Sequence, residues 1–252
     1  MIWADLTSAE LETMDRSVPV LLSVAAIEQH GPHLPLSTDA VIGQRFLSLI
    51  EAQMPDEVLI LPQVAVGCSE HHMDFAGSLS VSHRSFALYV GDILRSVLHH
   101  GFRSVIVLNS HGGNQAIGQV MLEDLGAAHP DRSLAFLTWW RLAAPELAGI
   151  RSSTRGGLGH ACEFETSLMM SAAPGTLRAD LVPHHDDGRD PAPNWAQEDM
   201  LEAGRGVLHR TMRVKSGGDG VVGAPHLATA AKGGAIESAV VAQLAHVIRS
   251  LS

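Results

Sequence analysis

Cysteine is nearly absent from this chain of 252 residues: Cys68 and Cys162 are the only two. They stand far apart and in no paired spacing, which excludes a disulfide framework. Clusters of Lys or Arg are missing too. Seventeen basic residues face 27 acidic ones, for a formal net charge of -10, and nucleic acid is not an expected partner. No apolar run is long enough to span a bilayer, so no membrane partner is expected either. The start, Met1 to Leu6, lacks the basic and then apolar order of an export signal, and a cytoplasmic protein is the expectation. Charged residues make up only 17% against 46% hydrophobic ones, which argues against disorder. One globular domain over residues 1–252 is the economical reading.

Histidine, by contrast, is abundant, at 15 residues. Imidazole binds metals and carries protons near neutral pH, so the placement of these residues matters more than their number.

The hydrophobic pattern alternates between strand-length and helix-length segments. Val18–Val24 reads as a buried strand, and Glu28–Asp39 as the polar loop leaving it. A helix is expected from Ala40 to about Met54, with Asp39 as N-cap. Val58–Pro62 and Val64–Val66 give a second strand, followed by the loop Gly67–Gly77. Phe86–His100 reads as an amphipathic helix stopped by Gly101. Ser104–Asn109 is the clearest buried strand, with the turn Ser110–Asn114 and then a helix over Gln115–Ala128. Leu134–Trp140 is another strand, His160–Ala172 a helix, Gln197–Ala203 a short helix, and Thr229–Leu251 the last one. Such alternation predicts an α/β fold with a mostly parallel sheet covered on both faces. Ligand sites in these sheets lie beyond the C-terminal strand ends. The loops there hold five histidines: His30, His33, His71, His72 and His111.

Glu28, His30 and Asp39 place two carboxylates and an imidazole within twelve residues, a donor mixture suited to Zn²⁺ or Mn²⁺. On spacing alone the same residues also suit a solvated turn with a helix cap. His111 precedes Gly112-Gly113 directly after a buried strand, where paired glycines allow close backbone approach to a ligand. His160 and Glu163, three apart on a helix, would share a face. Glu165 would point about 200° away from Glu163 at helical spacing. Trp139 and Trp140 end a strand on the same edge, as a wall for a flat ligand or as core.

At these residues the sequence resembles the creatininase family. Glu28-Gln29-His30-Gly31-Pro32-His33-Leu34-Pro35-Leu36-Ser37-Thr38-Asp39 is similar to its signature, and Asn109–Asn114, His72–Ser78, His160–Ser167, Gly220–Pro225 and Ala228–Gly233 to further blocks. The resemblance implies a three-layer α/β/α sandwich, a homohexamer, and two divalent metal ions per chain bridged by Asp39. Glu28 and His111 would complete one site, and His30 would bind the other. A creatininase proper supplies the last ligand two residues after the strand-end His, where this chain has Gly113. Glu163 is the candidate replacement. His160 matches the proton-carrying position, with Glu165 as its orienting partner, and Ser69, His72 and Gly112 are candidate substrate contacts. Zn and Mn are the expected ions, with Fe or Co compatible.

Gly112-Gly113 stands where a creatininase has Tyr-Glu, Cys162 where the family has Gly, and Ala224 where it has Asp. The expected activity is therefore hydrolysis of a non-peptide C–N bond in a small molecule, such as a cyclic amide, lactam or formamide, by a metal-activated water. A peptidase trimming a small peptide and a non-catalytic metal-binding protein are the alternatives.

Overall fold

The computed structural model describes residues 1–185, 192–193, 195–197 and 199–252. Four parallel strands form its central sheet: β1 (Val20–Val24), β2 (Leu59–Ile60), β3 (Ser104–Asn109) and β4 (Ser133–Thr138), in the order β2-β1-β3-β4. β1 and β3 are buried at every position, the mark of a sheet covered on both faces. Side chains nevertheless alternate. Leu21, Ile106 and Leu108 pack on one side with Phe46, Leu168, Ile236 and Val240, while Val20, Leu22, Val105 and Val107 pack on the other with Phe86, Leu94, Met121 and Leu125. The result is the expected three-layer α/β/α sandwich.

After a first short helix, α1 (Ser8–Thr13), the longer helices follow the strands. α2 (Thr38–Gln53) leaves β1, α3 (His83–His99) leads into β3, and α4 (Gln115–Ala128) leaves β3. The turn α5 (Trp139–Leu142) and the short α6 (Ala144–Ala148) follow β4. An antiparallel pair, β5 (Leu158–His160) with β6 (Val222–Gly223), flanks the sheet. α7 (Glu163–Ala172), α8 (Met212–Lys215) and α9 (Ala230–Ser250) complete the order.

α2 packs on the Leu21 side of the sheet and α4 on the Val20 side, so the chain leaves the neighbouring strands β1 and β3 in opposite directions. Their C-terminal ends, Val24 and Asn109, are in register. The loops beyond them splay apart and open a crevice at this topological switch point.

Several sequence expectations change in detail. The chain around His160 is not helical: β5 ends there, and α7 begins only at Glu163. Between them Ala161 adopts φ 50, the left-handed conformation that only a sharp joint imposes on a residue with a Cβ. Asp39 lies inside the first turn of α2 rather than at its cap, which is Ser37. Trp139 and Trp140 form a helical turn after β4 and sit in the core, with Trp140 also walling the crevice. Near 197–203, where residue 198 lies outside the described ones, the described residues form bends instead of a helix, organised by Asp199 and its ion pair to Arg151 at 2.9 Å. Among the described residues, no helix is long and apolar enough to cross a membrane.

Candidate metal centre

Two loops and the first turns of two helices meet in the crevice. Glu28 and His30 come from the loop after β1, Asp39 from the first turn of α2, His111 from the end of β3, and Glu165 from the first turn of α7. All five are buried. The two oxygens of Asp39 face different partners: Oδ1 lies 3.3 Å from His30 Nε2, and Oδ2 lies 3.1 Å from His111 Nδ1. His111 Nδ1 is also 3.2 Å from Glu28 Oε1, and His30 Nε2 is 3.9 Å from Glu165 Oε1. Asp39 therefore stands between two sets of donors: it groups with Glu28 and His111 through one oxygen, and its other oxygen meets His30, which groups with Glu165 and His160.

The outer nitrogens of both imidazoles are tied to backbone. His30 Nδ1–H donates to the Glu28 carbonyl at 3.1 Å, and His111 Nε2–H donates to the Cys68 carbonyl at 3.0 Å. Each ring thus turns its other nitrogen to the carboxylates, the arrangement that metal-binding histidines need. Glu28 Oε2, His30 Nε2 and Asp39 Oδ2 are buried without a hydrogen-bond partner, and unmade bonds of that kind are costly unless a ligand satisfies them. Carboxylate and imidazole donors in these two sets fit divalent ions of the zinc or manganese type.

Electrostatics point the same way. Burial pulls the His30 imidazole down, but the carboxylates of Asp39, Glu165 and Glu28 outweigh it and raise it to about 9. His111 is likewise raised well above its ordinary value against burial, by Glu28 and Asp39. The Asp39 carboxyl is driven far down by His30 and His111 despite its burial. Glu165 is pushed up to about 7 by burial, with Asp39 and Glu28 adding to it and His30 opposing. Without a cation, three acidic side chains crowd this pocket and borrow protons on the imidazoles.

Glu163 is not part of it. Its carboxylate accepts the backbone N–H groups of Ser152 and Ser153 at 2.8 and 2.9 Å and pairs with Lys232 Nζ at 2.5 Å. These partners outweigh burial and hold Glu163 below the ordinary carboxylate range. The expectation that Glu163 supplies the last donor and Glu165 orients His160 is thus exchanged: Glu165 reaches the cluster, and its Oε2 accepts the Cys162 N–H at 3.3 Å. The helix period explains it, since two positions apart on α7 means nearly opposite directions.

The same α7 is seated by the late sequence block. Thr229 caps α9, its N–H donates to Ser167 Oγ at 3.1 Å, and Gly233 lies where a Cβ would strike the Ser167 carbonyl. Gly113 is constrained in the same sense, because a Cβ there would run into the Cys68 carbonyl and the His111 ring. Position 113 therefore offers no room for a ligand-bearing side chain while His111 keeps its bond to Cys68.

His72, His160, Gly112 and Trp140 line a cavity of about 300 Å³ that also includes Glu28, Asp39, His111 and Glu165, and Arg141, Arg210 and Lys215 line it too. His160 Nδ1 is 3.7 Å from Glu28 Oε1, and its ring centroid is 4.2 Å from that of His30. Burial lowers both His72 and His160 strongly. Ser69 is buried behind His111, its Oγ 3.5 Å from Nε2, and does not line the cavity. His33 turns away to Thr166 Oγ1 at 2.9 Å. His71 was in the right loop and stacks on His111, with ring centroids 5.7 Å apart. Sequence reasoning missed Gln29 and Arg141. Gln29 stood inside the first motif, whereas nothing in the pattern around Arg141 marked it.

The family model for creatininase, described as creatinine amidohydrolase, matches residues 4–248. The mycofactocin precursor peptide peptidase of Mycobacterium tuberculosis is 29% identical over 248 residues, covering 93% of this chain and 85% of that protein. Its counterpart from Mycolicibacterium smegmatis is 30% identical over 239 residues, covering 90% and 82%. Among solved structures, one described as "Creatininase Mn" superposes with a TM-score of 0.76 at 23% identity, over 99% of this chain and 97% of that one. Fold, donor clusters and sequence match across almost the whole length agree, and the chain belongs to the creatininase family.

Proposed function

We propose that this protein is a dinuclear metal-dependent amidohydrolase. Glu28, Asp39 and His111 would hold one divalent ion, and His30, Asp39 and Glu165 the other. The observation that carries this reading is Asp39, whose two oxygens each meet a different imidazole at 3.3 and 3.1 Å. Zinc or manganese best suits the donors, and iron or cobalt also fits. Bound there, the ions would supply an acidified water and polarise the scissile carbonyl.

The chain's own residues do the rest. His160 lies over the shared cluster and is the group placed to take up a proton and return it to the departing nitrogen. Gly112 and Trp140 wall the cavity without adding a charge. Arg141, Arg210 and Lys215 line the same cavity, which favours an amide that also carries an anionic group. A cavity of about 300 Å³ suits a compact amide, lactam or formamide.

Peptide trimming is the second reading, favoured by one specific feature. Gln115 and Arg141 line both this cavity and a groove of about 550 Å³ between α4 and β4, so a longer substrate has room to extend. The mycobacterial relatives named as peptide peptidases add weight to it. Assembly as a homohexamer belongs to the same proposal, and exposed Leu88, Tyr89 and Val120 offer apolar surface for it.

The test is amine release from a panel of cyclic amides, formamides and short peptides by the metal-loaded chain, with metal content measured in parallel. Turnover of small amides supports the first reading, and turnover of peptides alone supports the second. Two bound metals with no turnover on any member would leave a metal-binding protein without catalysis.

A further inference from the structure

Behind the cavity, Gln29 touches both His72 and His160, and its groups decide which ring nitrogens carry protons. The Gln29 backbone carbonyl lies 2.7 Å from His160 Nε2. A carbonyl only accepts, so that nitrogen bears the proton and His160 Nδ1 is bare. The bare nitrogen faces the cluster, 3.7 Å from Glu28 Oε1.

The Gln29 side chain has a fixed sense as well. The Gly31 N–H donates to its Oε1 at 2.9 Å, which leaves the amide nitrogen 3.0 Å from His72 Nδ1. That amide nitrogen is a pure donor, so His72 Nδ1 accepts and its ring proton sits on Nε2, the nitrogen that lies 3.3 Å from Glu28 Oε1. Gln29 Nε2 also lies 3.1 Å from His160 Nε2. A bare Nε2 on His160 would, however, set its lone pair against the carbonyl at 2.7 Å, so the carbonyl decides. Gly220, at φ +82, stands where a Cβ would strike Gln29 Oε1, so the absence of a side chain there is what leaves room for the amide.

We propose that Gln29 is a positioning residue that holds His160 and His72 in the same Nε2–H tautomer but turned in opposite senses. The site then meets His160 as a proton acceptor at Nδ1 and His72 as a donor at Nε2. This divides their roles. His160 takes the proton from the attacking water at Nδ1 and delivers it to the amine nitrogen as the C–N bond breaks, ending the cycle as it began. His72 turns its N–H toward the Glu28 side of the site and presents no lone pair there to a cation. Glu28, His72 and His160 have a spacing that could hold a metal ion, yet this tautomer removes that set as an ion site. The catalytic part rests on the amidohydrolase reading, whereas the tautomers do not.

Nitrogen-15 spectra of histidine in the metal-free and the zinc-loaded chain locate these protons, with single His→Gln variants for assignment. In the metal-free chain, Nε2 carries the proton and Nδ1 is bare in both rings. On zinc loading these two rings keep that pattern. Gln29→Glu keeps the Gly31 contact but sets an acceptor opposite His72, so the His72 proton moves to Nδ1. His160, held by the backbone, does not change. A protonated Nδ1 on His160 or His72 in the unsubstituted chain overturns the proposal, whether or not the variant folds. An unchanged His72 signal in a folded Gln29→Glu chain does so too. Expected tautomers in a chain that cleaves no amide would count against the function and not against Gln29.

Discussion

Glu163 and Glu165 stand two residues apart on α7 and lie in opposite environments. The first is neutralised by Lys232 at 2.5 Å, while the second faces His30 Nε2 at 3.9 Å. Substitution separates them. Glu165→Gln should lower the affinity of one of the two ions by well over about tenfold, since a ligand is lost rather than a supporting group. Glu163→Gln should leave the metal content unchanged. It should instead lower folding stability, by about 2–3 kcal/mol, below the 3–5 kcal/mol of a fully buried broken pair because Lys232 keeps some contact with water. Elemental analysis and denaturant titration of the two variants check both outcomes. Loss of metal from Glu163→Gln would restore it to the ligand set.

Gly113→Ala should weaken metal binding by about 10–100-fold, because the new methyl group displaces His111 from the Cys68 carbonyl that orients it. Gly112→Ala has open space around its Cβ and should bind metal as the unsubstituted chain does. Competition with a chromophoric zinc chelator measures both. Equal affinities for all three chains would show that this crowding has no consequence.

Removing metal should lower the melting temperature. Glu28, Asp39 and Glu165 are buried together, and a cation that binds only the folded chain stabilises it by mass action, about 2.7 kcal/mol at a hundredfold excess over Kd. Scanning calorimetry with and without chelator, followed by metal add-back, tests it. An unchanged melting temperature would argue that the cluster binds no ion.

A pH effect is expected far from the site. Thr7 caps α1, its N–H donating to Glu10 Oε2 at 2.7 Å, and this backbone bond with the Thr7 hydroxyl lowers the Glu10 carboxyl from 4.5. Because the folded value lies below the unfolded one, the capping interaction is fully present above pH 4.5 and is lost as pH falls through the lower value. Protection of the Thr7 amide, relative to its intrinsic exchange rate at each pH, should fall over that acid range, and Glu10→Gln should flatten the dependence. No difference between the two chains would remove the capping box from the account.

Much of the architecture was legible without coordinates. Strand and helix periods gave the sheet, the helix Gln115–Ala128 is found with those bounds, and the placement of Glu28, His30, Asp39 and His111 on one edge followed from loops after parallel strands. Besides the expected helix Gln197–Ala203, two elements were misread for local reasons. His160–Ala172 looked like one helix because nothing in its pattern announces the left-handed Ala161 that separates β5 from α7. Leu134–Trp140 looked like one strand because apolar residues suit a buried helical turn equally well.

By itself, then, the sequence marked Glu28, His30, Asp39 and His111 as candidate donors, fixed their order along the chain and pointed to the family. Periodicity and motif spacing are local properties, and residues on one loop keep their neighbours after folding. Only the tertiary structure decided which glutamate completes the second donor set. That choice depends on where α7 is seated by Lys232 and Gly233 of α9, some 70 positions away (Glu163 and Lys232 are 69 apart). The proton positions proposed for His72 and His160 rest on packing in the same way, through a glutamine whose amide is held by the Gly31 N–H and accommodated by Gly220. Direction of a side chain and location of a proton are set by packing across the chain, and no reading along it supplies them.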